Sequence, residues 1–125
     1  MVHVPIDNVV YAGDILYSGR LLAVIPGGNA KAWVETFDAL KTFGNATFIP
    51  GHGKPGKLDA FRFSTREYLA LLNDYMAKKV EEGVGMDDAI KGLDQSRFSK
   101  LANFDELAGR NASWVYLERE ADSFK

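Results

Sequence analysis

Apolar residues follow two rhythms along this chain. Near the start, Val9 to Ala12 form a short unbroken apolar run closed by Gly13-Asp14, which predicts a buried β-strand. From Asn29 onward Trp33, Phe37 and Leu40 recur at helical spacing, with Val34 and Phe43 beside them. That pattern predicts a helix from Ala30 to about Phe43, with Asn29 as its N-cap and Gly44 as its left-handed stop. Ala46 to Ile49 reads as the next strand. Between the first strand and the helix, Ile15 to Pro26 is apolar but interrupted by Ser18-Gly19-Arg20 and Pro26-Gly27-Gly28, so a loop with a short strand at Leu21 to Ile25 is expected. A long helix follows from about Asp59 to Glu82. Tyr68, Leu72, Tyr75 and Met76 mark its buried stripe, with Leu69 and Val80 alongside, and Ser64-x-x-Glu67 offers a capping box at a later start. Gly83 and Gly85 end it. A short helix from about Asp87 to Leu93 and a final one from about Glu106 to Glu120 complete the chain, the last with Leu107, Trp114, Val115 and Leu117 as apolar contacts.

Strand, helix, strand in this order implies a βαβ unit with parallel strands, and therefore an α/β fold. Ligands of such units gather at the carboxyl ends of the strands, where Asp14 and His52 both fall. Two or three short strands must support four helices with apolar faces, which leaves sheet edges and one sheet face in need of a cover. At 125 residues the chain is long enough for one domain, with residues 1–58 as the βαβ part and 59–125 as the helical part.

Charge narrows the partners. A net charge of -2 with Lys and Arg scattered among Asp and Glu argues against nucleic acid, and no apolar run approaches transmembrane length. Met1-Val2-His3-Val4-Pro5 lacks the pattern of a signal peptide, so a cytoplasmic location is expected. Cysteine is absent, which leaves any metal to His, Asp and Glu.

Two residues carry the candidate chemistry. Asp14 follows Gly13 at a strand end, and His52 sits between Gly51 and Gly53 after a Pro-Gly turn. Either alone has an ordinary structural reading: Asp after Gly often caps a turn, and a loop histidine is more often neither ligand nor catalyst. Together, across a βαβ link, they point to metal positions. A competing motif, Gly51-His52-Gly53-Lys54-Pro55-Gly56-Lys57, matches a phosphate loop. Leu58 stands where that loop needs a hydroxyl, and Pro55 removes one cradling N–H. Lys54 and Lys57 remain able to attract an anion at the following helix start. His3 reads as a surface strand residue, and Trp33, Phe37, Tyr68, Tyr75 and Trp114 as core.

Asn8 to Asp14 together with Gly51-His52-Gly53 resembles the C-terminal half of the metallo-β-lactamase-fold hydrolases, the superfamily that includes the glyoxalase II type thioesterases. The likeness spans roughly the first two thirds of the chain, and Gly109 to Tyr116 is similar to the closing helix of some members. The resemblance implies a four-layer αββα sandwich of two similar halves, of which this chain matches the second. It also implies zinc, with Asp14 bridging two metals and His52 binding the second, and hydrolysis of esters, thioesters or related small substrates. The family's main signature, His-x-His-x-Asp-His followed by an isolated histidine, is not present; His3 is the only other histidine. The expectation is therefore a fragment of a zinc-dependent hydrolase, inactive or nearly so alone. Its partner would be the missing N-terminal half or a second copy in a homodimer. The alternative is a non-catalytic interaction module that never had a first half.

Overall fold

The computed structural model describes residues 1–124, a mixed α/β fold with one three-stranded sheet and four α-helices. Strands β1 (Val2–Val4), β2 (Val9–Tyr17) and β3 (Thr47–His52) lie in that order, β1 antiparallel and β3 parallel to β2. Helix α1 (Ala30–Ala39) makes the crossover, so the strand–helix–strand pattern delivers the parallel pair it requires. The Asn29 side chain accepts a hydrogen bond from the Ala32 N–H at 3.0 Å, satisfying one of the orphan donors at the helix start. The helix tightens into a 3-10 turn at Leu40–Phe43 and stops at Gly44, whose φ is +58°.

Several expectations need correction. β2 does not stop at Gly13-Asp14 but runs on to Tyr17, because Gly13 takes φ +62° and absorbs a bulge that lets pairing resume. His52 is correspondingly the last residue of β3 and not a loop residue beyond it. No strand forms at Leu21 to Ile25. Leu21 and Leu22 are fully buried, but this segment's backbone bonds go to the C-terminal region: Leu21 N–H to the Ala102 carbonyl at 2.9 Å, and Val24 N–H to Asn111 Oδ1 at 2.8 Å. The apolar run there records burial without a ladder. Ser64 caps nothing, since α2 (Tyr68–Glu81) begins without a side-chain cap. The chain reaches α2 through a 3-10 turn (Leu58–Phe61) and a wide π-helical turn (Arg62–Glu67). That turn presents Ser64 and Thr65 to the end of β2: both hydroxyls donate to the Tyr17 carbonyl, at 2.6 and 2.9 Å, and Thr65 Oγ1 accepts from the Tyr17 N–H at 2.9 Å. Arg66, in the same turn, clasps Asp38 of α1 with two bonds of 2.6 and 3.0 Å and holds that carboxyl below its usual range.

Two apolar clusters hold the elements. One joins the covered sheet face (Val10, Leu16, Phe48) to Phe37 of α1 and to Phe61. The other gathers Tyr68, Leu72 and Met76 of α2 with Phe98, Val115 and the buried Leu22. Helices α3 (Met86–Gly92) and α4 (Phe104–Ser123) close it, although Leu117 points out to solvent with 39% of its surface exposed, against the sequence expectation. Among the described residues no helix is long and apolar enough to cross a membrane.

Asn111 of α4 is the polar pin of this second cluster. It is buried, accepts from Val24 N–H, and donates to the Leu22 carbonyl at 2.7 Å and to the Tyr68 hydroxyl at 3.2 Å. Asn111→Ala strands two buried backbone groups, and the expected loss is about 2–4 kcal/mol, read as a lowered urea midpoint.

Glu118 of α4 caps α1 from outside, its Oε1 accepting from the Ala30 N–H at 2.6 Å. Burial pushes its carboxyl above the ordinary value of 4.5, against the opposing pull of the Ala30 bond and of Arg119. A raised acid favours the protonated folded state, so its contribution is present at low pH and is lost as pH rises from 4.5 through the folded value. Glu118→Gln keeps an acceptor and cannot ionise. The difference in melting temperature, variant minus parent, should grow in the variant's favour as pH rises from 4 to 7.

Candidate functional site

β2 and β3 start in simple register and end out of it. Val9 faces Thr47, Tyr11 faces Ile49, then Gly13 faces Pro50 and Tyr17 faces His52. Eight steps along β2 thus match five along β3. An unbroken ladder from Val9 would set Asp14 opposite His52; the surplus residues put Tyr17 there and leave Asp14 alongside Gly51. The two strands are pressed together at this point. A methyl group on Gly51 would collide with the Asp14 carboxylate and the Gly13 backbone, and one on Gly53, at φ +114°, would collide with Ser18. The glycines on either side of the histidine are there because β2 leaves no space for side chains. Ser18 N–H donates to the His52 carbonyl at 3.0 Å and closes the pairing.

The result brings both sequence-predicted residues together. His52 Nε2 lies 3.5 Å from Asp14 Oδ1, with the imidazole about a third exposed and the carboxylate mostly in solvent. The Tyr17 ring stacks on the imidazole at 4.8 Å. Burial, and then the nearby Asp14 carboxylate, raise the Tyr17 phenol above 10.0, while Arg20 pulls the other way. Arg20 Nη1 stands 3.3 Å from His52 Nδ1. A guanidinium can only donate, so this contact makes Nδ1 the acceptor and leaves the ring proton on Nε2, toward Asp14. With its amide oxygen turned inward, Asn103 accepts from Arg20 Nε and Nη2 at 3.2 and 3.3 Å and fixes the guanidinium plane. Tyr17 and Arg20 went unassigned in the sequence. The available signal was Ser18-Gly19-Arg20, placed just beyond the carboxyl end of a strand.

Whether a zinc ion fits can be read from these contacts. Two ligand atoms bound at 2.0–2.2 Å around a tetrahedral ion stand about 3.4 Å apart. The 3.5 Å between Asp14 and His52 is a poor hydrogen bond but matches that spacing. The count fails, because among the described residues no three of His, Cys, Asp and Glu gather. The surroundings also oppose it: a metal-bound imidazole donates its other N–H to an acceptor, and here a donor, Arg20, faces that nitrogen. The pair has the bite of a metal site, but among the described residues it has neither a third ligand nor the supporting contacts.

Two clefts open beside the pair. One of about 400 Å³ is mainly apolar, lined by Asp14, Ile15, Ile25 and Trp33, with Trp33 fixed by its indole N–H donating to the Ile15 carbonyl at 2.8 Å. The other, about 570 Å³, is lined by Ser18, Gly19, Arg20, His52, Lys54 and the flanking glycines. Lys57 is not part of it. Its ammonium group is spent on the Asn45 carbonyl at 2.7 Å and Thr47 Oγ1 at 3.2 Å, so of the two lysines expected to attract an anion only Lys54 is placed to do so.

The family model described as the metallo-beta-lactamase superfamily matches residues 1–52. The match runs from β1 to the last residue of β3, takes in Asp14 and His52, and ends before α2. No curated protein matches the chain.

Stoichiometric zinc should therefore leave the melting temperature of the isolated chain unchanged, and His52→Ala should respond to zinc as the parent does. Calorimetric titration with zinc checks this directly: a tight one-to-one isotherm lost in His52→Ala would mean a site more complete than two ligands.

Proposed function

We propose that this chain supplies half of the metal-ligand set of a zinc-dependent hydrolase of the metallo-β-lactamase type, and that it does not turn over substrate alone. The observation that carries the reading is the Asp14–His52 pair, spaced as two ligands of one ion, inside the segment that matches the family and without a third ligand nearby. The apolar cleft beside Asp14 supports a small ester or thioester with an apolar portion, held by Ile15, Ile25 and Trp33. The completing ligands would come from another half packed on the sheet.

The sheet supports such a partner. Residues directly paired across strands share a face. Val2, Tyr11 and Ile49 make one cross-strand row, and Val4, Val9 and Thr47 another, on the face opposite the buried Val10 and Phe48. Val2 and Tyr11 are 59% and 52% exposed. An apolar face of this kind is what a second sheet would cover. A second reading, in which the chain acts as a homodimerising module without catalysis, draws on the same face.

Two measurements separate these readings. With zinc added, hydrolysis of an aryl ester and of a thioester by the chain should equal that of Asp14→Asn. Metal-dependent turnover abolished by that change would mean the chain is a complete enzyme. In sedimentation velocity, Tyr11→Lys should remove any self-association seen at high concentration. A species that is monomeric throughout would leave the face to a different polypeptide.

A further inference from the structure

We propose that the cleft between the ends of β2 and β3 is an oxyanion subsite, in which Arg20 and Lys54 bind a carboxylate or phosphate group. The cleft holds two cationic side chains and no acidic one, its lining being Ser18, Gly19, Arg20, His52, Lys54 and the glycines on either side of His52. Asp14 lies on the far ring nitrogen of His52 and is not part of the lining.

Arg20 is the organising group. It is half-buried, and its described contacts are all to neutral acceptors: His52 Nδ1 through Nη1, and the Asn103 amide oxygen through Nε and Nη2. Three of its five N–H donors are thereby used, which orients the guanidinium and leaves two N–H for a ligand. A guanidinium held in place without a carboxylate partner keeps its full charge for an incoming anion and loses little side-chain entropy on binding. Four of the five other arginines, Arg62, Arg66, Arg97 and Arg119, each face a carboxylate. Lys54 follows Gly53 directly, is exposed, and adds a second positive charge at the cleft mouth.

The subsite goes beyond the metal reading and does not depend on it, so the test is run with a chelator present. The full chain is titrated with inorganic phosphate and separately with acetate, at ionic strength held constant with sodium chloride, and followed by amide NMR. Saturable shifts confined to Gly19, Arg20, Gly53, Lys54 and the Arg20 side-chain N–H are expected for at least one anion, and the tighter of the two names the ligand class. Arg20→Gln should weaken binding roughly 10- to 100-fold, as loss of a charge-assisted bond does. Lys54→Gln, on an exposed side chain that supports no fold contact, should weaken it roughly 2- to 5-fold. If Arg20→Gln loses the dispersion of the folded spectrum, Lys54→Gln decides alone. Shifts that fail to saturate, that spread over the other lysines, or that persist unchanged in Lys54→Gln overturn the proposal.

Discussion

The candidate site rests on how tightly β3 is pressed against β2. Gly13 bends β2 at φ +62°, and Gly51 and Gly53 let the opposing strand come in where any side chain would collide. Adding even one methyl group to such a contact costs about 1–3 kcal/mol, because the backbone has to move. The bulge has a further consequence. It shifts Tyr17, and not Asp14, opposite His52, and Tyr17 is the residue whose backbone is clasped by Ser64 and Thr65. The imidazole is thus stacked on a ring anchored to the π-helical turn, and that turn is anchored to α1 through Arg66 and Asp38. Strand register, turn geometry and helix placement act on a single side chain.

The surroundings of His52 pull in two directions. Nε2 and the Asp14 carboxylate stand at the separation that two ligands of one ion adopt. Nδ1 faces the guanidinium of Arg20, which makes it an acceptor. An imidazole cannot bind an ion through Nε2 as a neutral ligand and also accept at Nδ1, because its one proton then has no nitrogen to occupy. Metal on Nε2 requires Arg20 to leave Nδ1 and an acceptor to replace it. Arg20 turned fully toward an anion in the neighbouring cleft would satisfy the first condition. The two clefts beside the Asp14–His52 pair are chemically distinct: Asp14 lines the apolar one and His52 the cationic one.

Much of the architecture was legible because local chemistry and tertiary structure agree in this chain. Asn29 caps α1, Gly44 and Gly83 take positive φ at helix ends, and the stripe of Tyr68, Leu72 and Met76 is buried. The pairing of Asp14 with His52 was legible too, since two strand tips joined by a crossover helix have to be neighbours. The departures have a common cause. At Gly13 the residue that ordinarily ends a strand instead carries a bulge, at Leu21 and Leu22 burial imitates a strand, and at Ser64 a hydroxyl pattern that ordinarily caps a helix serves the end of β2. Each is decided by a partner distant in the chain. Arg20 was missed for the same reason: its partners His52 and Asn103 lie 32 and 83 residues away, and no local pattern announces them.

In the proposed reading, the two-ligand pair and the exposed apolar sheet face point to one and the same missing neighbour. A sheet meant to face water alternates apolar with polar residues, and the outward rows here hold Val2, Tyr11, Ile49, Val4 and Val9, with Thr47 as the single polar side chain. A functional site built on the carboxyl ends of β2 and β3 lies at the rim of that same sheet, so whatever covers the outward face also brings side chains to the rim. A partner that buried the face without supplying ligands would leave Asp14 largely in solvent with nothing to coordinate. One that supplied ligands without burying the face would have to hold them to within a few tenths of an ångström from a surface lacking a packed contact, which flexible attachment does not achieve. Under the proposed half-site, packing and coordination would call for the same partner, and the geometry of β2 and β3 would set where its ligands arrive.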